Sequence, residues 1–137
     1  MSEPIFKPTA FYKDPLAALK WLEVAFGFET TMEVPDGKGG IMHSEVRYGG
    51  VSFTLFTDEE GYDRPARKGE TVGHGMYVAF DTQDEVDAIF KKATAAGADP
   101  VWTPELSEWG NYRCRVADPE GYEWTFGTHR PGLPASW

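Results

Sequence analysis

The stretch GGVSFTLFT at residues 49–57 returns late in the chain as EGYEWTFGT at residues 120–128. In this alignment Thr54 matches Thr125, and the glycine four residues before each threonine is kept as well. Each copy closes a stretch in which a helix-like segment is followed by three strand-like segments. An internal repeat of this kind predicts two structurally similar modules.

Composition and charge narrow the class of protein. The chain has 137 residues, of which 41% are hydrophobic, so one domain with a packed core is expected. Its single cysteine cannot form an internal disulfide, which fits a reducing cytoplasm. A net charge of −9 without a basic cluster argues against nucleic-acid binding and favours a neutral or cationic small-molecule partner. No apolar run reaches the ~18 residues of a membrane helix, and the start lacks a signal-peptide core, so we expect a soluble protein and no membrane partner.

The first half has the pattern of a β-α-β-β-β unit. Asp14 before Pro15 is a helix N-cap followed by the residue favoured at the first helical position, and Gly27 ends the helix. Gly49-Gly50 is a hairpin signal between the last two strands. The predicted strands cover residues 6–13, 28–34, 41–48 and 51–56.

The second half repeats this plan. Thr82 and Glu85 form the pattern of a capping box, and the helix that they begin ends at Gly97. The predicted strands cover residues 74–81, a segment that begins at 101, residues 111–117 and residues 122–128. The polar segment 58–72 connects the halves, so residues 1–137 are predicted to be a single domain of two repeats, at about 5–57 and 73–129.

Two such modules predict an α+β fold. Each module presents a four-stranded sheet with a helix on one face. Placing the two tandem βαβββ modules edge to edge would give a cup-shaped mixed sheet with the helices outside. The concave side of such a sheet is the default place for a ligand.

Three segments carry a resemblance to a known family: DPLAALKWLEVAFGF (14–28), VDAIFKKATAAGA (86–98) and RVADPEGYEW (115–124). In this order they resemble the vicinal oxygen chelate superfamily, which includes glyoxalase, bleomycin-resistance proteins and extradiol dioxygenases. The resemblance spans nearly the whole chain and implies the glyoxalase/bleomycin-resistance fold. It also implies a homodimer, which relatives commonly form. It does not select a reaction, because this fold supports lyases, isomerases, oxygenases and drug-sequestering proteins.

The resemblance also implies where a metal would bind. Metal-binding members place ligands early on the first strand and on the last strand of each half. Here residues 7–9 offer no histidine or glutamine, His74 is a plausible ligand, and Thr54 and Thr125 stand where relatives carry glutamate. Zinc and iron need about three nitrogen, sulfur or carboxylate ligands, and a threonine hydroxyl is a poor substitute. We therefore predict no metal cofactor, with a divalent metal as the alternative.

Strand alternation predicts which side chains line the cup. If Thr54 and Thr125 point inward, so do many polar residues on the neighbouring strands. The predicted polar lining is His43, Glu45, Arg47, Ser52, Thr54, His74, Arg113, Arg115, Glu123 and Thr125. Since an unpaired buried charge is costly, these groups must pair with one another, meet water or meet a ligand.

A few residues receive more specific hypotheses. His43 and Glu45 are candidates for an acid–base pair, because histidine titrates near neutral pH and a carboxylate can hold its tautomer. Together with His74 they could also form a metal site outside the family pattern. Trp102 and Trp109 are candidate aromatic ligand contacts at the mouth of the cup, with packing or a dimer contact as the alternative.

Three functions of different class remain open. The first is a metal-independent protein that binds a small molecule in the concave sheet, favoured by the acidic charge, the aromatic residues and the missing ligand set. The second is a small glyoxalase-like lyase, isomerase or dioxygenase that uses a divalent metal or a His/Glu pair, with Arg113 or Arg115 steadying an oxyanion. The third is a non-catalytic subunit of a protein complex. Whether the protein is an enzyme stays open at this point.

Overall fold

The computed structural model describes residues 3–134 and divides between Arg64 and Pro65 into two compact units. Each unit has one helix and a four-stranded mixed sheet, so the predicted pair of βαβββ modules is confirmed. We refer to them as unit 1 and unit 2. Neither helix is long and apolar enough to span a membrane.

Unit 1 runs β1 (Thr9–Tyr12), α1 (Pro15–Phe26), β2 (Glu29–Pro35), β3 (Ile41–Tyr48) and β4 (Val51–Thr57). Its sheet order is β1-β4-β3-β2, with β1 parallel to β4 and the other pairs antiparallel. The predicted cap is present, since the Ala17 N–H donates to Asp14 Oδ1 at 3.1 Å. The first strand begins three residues later than predicted, because Pro8 has no N–H to give to a ladder.

Unit 2 runs β5 (Gly75–Ala79), α2 (Gln83–Ala95), β6 (Asp99–Leu106), β7 (Tyr112–Ala117) and β8 (Glu123–Gly127). Its order, β5-β8-β7-β6 with β5 parallel to β8, repeats that of unit 1. The capping box is confirmed. The Glu85 N–H donates to Thr82 Oγ1 at 3.2 Å, and the Thr82 N–H donates to Glu85 Oε1 at 3.1 Å.

The core of unit 2 lies between one face of its sheet and α2. Cys114, Val116, Trp124 and Phe126 are fully buried on the sheet side. The Tyr112 hydroxyl donates to Asp87 Oδ1 of α2 at 2.6 Å, which fixes the face of β7 that meets the helix. Because side chains alternate along a strand, Arg113 and Arg115 lie on the opposite face. We call the side of each sheet that is turned away from its own helix the helix-free face.

The core of unit 1 is built in the same way. Leu22 and Phe26 of α1 are buried, as are Val46, Phe53 and Leu55 of the sheet. The residues between them on β3 and β4 therefore belong to the helix-free face of unit 1.

The polar segment 58–72, which the sequence marks as a connection, is hydrogen-bonded on both sides of the division. In unit 1, Asp58 Oδ1 accepts from the Gly61 N–H at 2.8 Å, and Arg64 Nη2 donates to the Phe11 carbonyl at 2.7 Å. In unit 2, the Val72 N–H donates to Glu123 Oε1 at 3.0 Å. The second half of the segment thus reaches the helix-free face of its own sheet.

Candidate functional site

The helix-free face of unit 2 carries the largest group of predicted site residues, namely Trp102, Arg113, Arg115, Glu123 and Thr125. The β7–β8 register sets Arg115 opposite Thr125 and Arg113 opposite Gly127. On the other side of β7, Trp102 of β6 stands opposite Arg115. Residues that face each other across strands share one side of a sheet, so the sheet gathers these groups together.

Trp102, Arg113 and Arg115 form a group that we call the arginine–tryptophan cluster. The guanidinium carbon of Arg115 lies 3.7 Å from the centroid of the Trp102 ring, and that of Arg113 lies 4.3 Å from it. Both distances are within the range of a cation–π contact. The sequence analysis predicts Arg113 and Arg115 in the lining and Trp102 at the mouth of the cup, and the structure brings the three side chains into contact.

Arg115 contacts protein partners through Nε and Nη1. Its Nε donates to Thr125 Oγ1 at 2.8 Å and lies 3.5 Å from Glu123 Oε2, while Nη1 donates to the Glu70 carbonyl at 2.8 Å. Burial lowers the pKa of Arg115, the charge of Glu123 opposes this shift, and the nearby charge of Arg113 adds to it. Arg115 is thus a cation that two hydrogen bonds and the contact with Glu123 hold in place.

Arg113 differs from its neighbour. Its Nη1 is enclosed, yet no acceptor in residues 3–134 receives a hydrogen bond from it. Glu105 stands opposite Arg113 in the β6–β7 register but forms no ion pair with it. Arg113 therefore keeps a positive charge and a buried donor that this part of the chain leaves unmatched.

At the end of this face where β8 finishes lie Tyr77 and Asn111, which the sequence analysis did not name as site residues. The Tyr77 hydroxyl donates to the His129 carbonyl at 2.7 Å, and Asn111 Oδ1 accepts from the Thr128 and His129 N–H groups, both at 3.0 Å. Burial raises the pKa of Tyr77. Gly127 makes room for this arrangement, since a Cβ there would lie 2.5 Å from the Tyr77 hydroxyl. The signal available was the alternation of Tyr77 with its apolar neighbours Met76 and Val78 along β5.

Two predicted site residues lie elsewhere in unit 2. His74 is exposed and directly precedes β5, and the β5 residue that faces Thr125 is Tyr77. Trp109 lies in the loop between β6 and β7, where it is 55% exposed and its ring centroid is 5.0 Å from that of His129. The ligand-binding roles of His74 and Trp109 stay predictions, and the structure does not place either residue in the arginine–tryptophan cluster.

A cavity of about 270 Å³ opens at the other end of this region. Its walls are Pro65, Arg67, Val72, Asp99, Val101, Ala117, Gly121 and Glu123. Glu123, whose side chain is only 9% exposed, belongs both to this wall and to the ion pair with Arg115. The buried carboxylate therefore joins the cavity to the arginine–tryptophan cluster.

Unit 1 brings together a smaller group. His43 Nε2 is 2.7 Å from Glu45 Oε2, both side chains are partly exposed, and Glu45 faces Thr54 across β3 and β4. The ring of His43 lies against Phe56, with 5.4 Å between centroids. Arg47 is instead ion-paired with Glu29 at the surface. His43, Glu45 and Thr54 thus share the helix-free face of unit 1, while Arg47 already has a partner.

The two repeated threonines do not sit in metal-ligand surroundings. Across the parallel strands Thr54 faces Thr9, and Thr125 faces Tyr77, so hydroxyl groups stand where a metal would need nitrogen or carboxylate. Thr125 Oγ1 also accepts from the Arg115 cation, which would repel a metal ion. Across residues 3–134, no three His, Cys, Asp or Glu side chains are grouped so that they could hold a metal ion. The residues at the family's usual metal position therefore do not fit a zinc or iron site. The absence of a metal from the purified protein stays a prediction.

Comparison with known proteins gives matches along most of the chain. The model of the Glyoxalase/Bleomycin resistance protein/Dioxygenase superfamily matches residues 5–126. An uncharacterized protein of Mycobacterium bovis is 30% identical over 128 residues, which cover 91% of this chain and 83% of that protein. The crystal structure of TioX from Micromonospora sp. ML1 is 31% identical, with a TM-score of 0.69, over 93% of this chain and 100% of that one. The bleomycin resistance determinant of transposon Tn5 is 16% identical, with a TM-score of 0.69, over 93% and 98%, and shows the fold alone.

Proposed function

The chain belongs to the glyoxalase/bleomycin resistance protein/dioxygenase superfamily and has its fold, and from this premise we propose that it binds a small molecule on the helix-free face of unit 2. Binding uses the arginine–tryptophan cluster and no metal at the family's usual position. One protein of the same fold is a bleomycin resistance determinant, which supports sequestration of a small molecule as a role for this fold.

The arginine–tryptophan cluster is the observation that carries the proposal. Two guanidinium groups lie against one indole ring; the Arg115 side chain is mostly buried, and Nη1 of Arg113 is enclosed. A cation–π contact returns only about 0.5–1 kcal/mol at an exposed site, which does not explain two like charges side by side. Such groups are more often found where a ligand completes their interactions.

A fragment screen by ligand-observed NMR on the full chain tests the proposal. The library should contain planar aromatic, cationic and neutral compounds. We expect compounds whose binding disappears in Trp102→Ala but persists in Val24→Ala, which removes an exposed apolar side chain from α1. If no compound distinguishes the two variants, the helix-free face of unit 2 is not a binding site.

Metal analysis of the purified protein tests the metal-free part of the proposal. We expect substoichiometric zinc, nickel, iron and manganese, because the hydroxyls around Thr54 and Thr125 are poor ligands. In a double variant Thr54→Glu/Thr125→Glu we expect increased metal affinity by isothermal titration. Stoichiometric metal in the unsubstituted protein would contradict the proposal.

The His43–Glu45 contact supports a second candidate function, acid–base catalysis in unit 1. In the neutral tautomer of His43 that donates from Nε2 to Glu45, the lone pair lies on Nδ1. A base of this kind on the helix-free face of unit 1 could take a proton from a bound molecule. The ring nitrogen shifts of His43 by NMR test this tautomer in the wild-type chain and in Glu45→Gln. A neutral ring protonated at Nδ1 in the wild type would remove the candidate.

A further inference from the structure

We propose that the molecule bound by unit 2 carries a carboxylate group and that Arg113 is the residue that receives it. The inference rests on the binding function proposed above and adds the chemical class of the ligand. Its basis is the difference between the two arginines of the arginine–tryptophan cluster, which share a strand, a face and an aromatic neighbour.

The balance of charge in the cluster points to a monoanion. Arg115 is balanced by Glu123. Arg113 adds a second positive charge, and Glu105, the carboxylate opposite it, forms no ion pair with it. Arg113 is therefore the guanidinium of the cluster that has no ion pair within residues 3–134. A cationic ligand would be repelled by both guanidinium groups, and a neutral ligand would leave the charge uncompensated.

The hydrogen bonds point to a planar oxygen acceptor. Arg115 donates from Nε to Thr125 and from Nη1 to the Glu70 carbonyl, whereas Nη1 of Arg113 is enclosed and has no acceptor in residues 3–134. A guanidinium presents a rigid fork of N–H groups that a carboxylate can bridge with two parallel hydrogen bonds. The Arg113 side chain as a whole is half-buried, so a ligand can approach it, but a carboxylate reaches the enclosed Nη1 only when a neighbouring group moves aside.

The surroundings of Arg113 favour a carboxylate over a phosphate. A dianion would find only one guanidinium without an ion pair, and it would lie near the carboxylates of Glu123 and Glu105. Trp102, 4.3 Å from the Arg113 guanidinium, gives the body of the ligand an aromatic wall. An aromatic carboxylate therefore fits the site best, and benzoate is the simplest probe.

Titration of the ¹⁵N-labelled full chain with benzoate tests this inference through the Trp102 indole N–H and Arg113 Nε–H signals. Benzamide, which is similar in shape but neutral, and inorganic phosphate are run in parallel. We expect saturable shifts with benzoate, and at least ~10-fold weaker binding of benzamide and phosphate. Arg113→Gln should weaken benzoate by the same factor. Arg130→Gln, which removes an exposed arginine paired with Asp81 in the same unit, should leave it unchanged.

The outcomes separate the two proposals. If benzoate and benzamide bind equally well, or if Arg113→Gln binds benzoate as the wild type does, carboxylate recognition is wrong while small-molecule binding stands. If the Trp102 indole signal responds to none of these probes and to no compound of the fragment library, the proposed function fails and this inference fails with it.

Discussion

Arg113 and Arg115 lie two residues apart on one strand and are expected to respond in opposite ways to substitution. Arg113→Met removes an enclosed donor without a protein acceptor, and a charge next to another cation, so the free energy of unfolding should stay the same or rise by about 1 kcal/mol. Arg115→Met breaks hydrogen bonds to Thr125 and Glu70 and leaves Glu123 half-paired, so a loss of about 1–3 kcal/mol is expected.

Urea unfolding of both arginine variants, followed by circular dichroism, measures the difference. The pair serves as its own control, since both substitutions replace the same side chain on the same face. A loss of stability in Arg113→Met as large as that in Arg115→Met would show that Arg113 has a structural role. It would then not be a residue kept for a ligand.

Gly127 is a second position at which a single substitution is expected to change the stability of the protein, because its backbone lies close to two side chains. A Cβ at this residue would lie 2.5 Å from the Tyr77 hydroxyl and 2.7 Å from Asn111 Oδ1. Both groups are held by hydrogen bonds to the chain after β8, so Gly127→Ala should lower the free energy of unfolding by roughly 1–3 kcal/mol. Thermal unfolding measures this loss against Gly50→Ala, where nothing lies within 4 Å of the added carbon. Equal stability of the two variants would mean that Tyr77 and Asn111 move aside freely.

Among the structural elements, the turn after β4 depends on an ionised side chain. Burial raises the pKa of Asp58, but the N–H groups of Tyr62 and Gly61 and the charge of Arg64 outweigh it, so that its pKa lies below the ordinary 3.8. When the pKa of a carboxyl is lower in the folded state than in the unfolded chain, the group contributes its full stabilisation of the fold at pH values above the unfolded pKa. That contribution is lost as the pH falls through the lower, folded value.

Acid unfolding tests the role of this turn. The wild type should lose stability below about pH 4 more steeply than Asp58→Asn, which no longer has the group that titrates. Asp63→Asn removes the same charge from an exposed position of the same segment and should keep the wild-type pH profile. If wild type and Asp58→Asn lose stability equally steeply at low pH, the ionised Asp58 does not stabilise this turn.

For the molecule as a whole, oligomeric state is the property to measure. Each four-stranded sheet has two edge strands, β1 and β2 in unit 1 and β5 and β6 in unit 2. Edge strands offer unpaired backbone groups to a neighbour, and the family resemblance implies a homodimer. Light scattering during size-exclusion chromatography should therefore give twice the 15.3 kDa chain mass. A monomer at all protein concentrations would contradict this expectation.

Net charge and local charge lead to different expectations for the ligand. The chain carries −9, which favours a neutral or cationic partner when composition alone is considered. The arginine–tryptophan cluster concentrates two cations on one face, with Glu123 as the carboxylate that is ion-paired there. At contact distance the local arrangement outweighs the distant acidic residues, because those are screened beyond about 10 Å.

Much of the fold follows from local signals in the chain. The caps at Asp14 and Thr82 and the repeat around Thr54 and Thr125 predict two βαβββ units, and the structure confirms both. Strand alternation also places Arg113 on the face of Arg115. These features are predictable because capping and the two-residue period of a strand depend on neighbours in sequence.

The tertiary structure alone decides which of the polar side chains have partners. It sets Tyr77 rather than His74 beside Thr125, pairs Arg47 with Glu29, and leaves Arg113 without a protein acceptor in the described chain. These outcomes depend on the register between strands that are distant in sequence and on the directions of long side chains. By itself, the sequence determined the repeat, the two units and the residue types on each face; the register decided which of those residues pair with one another.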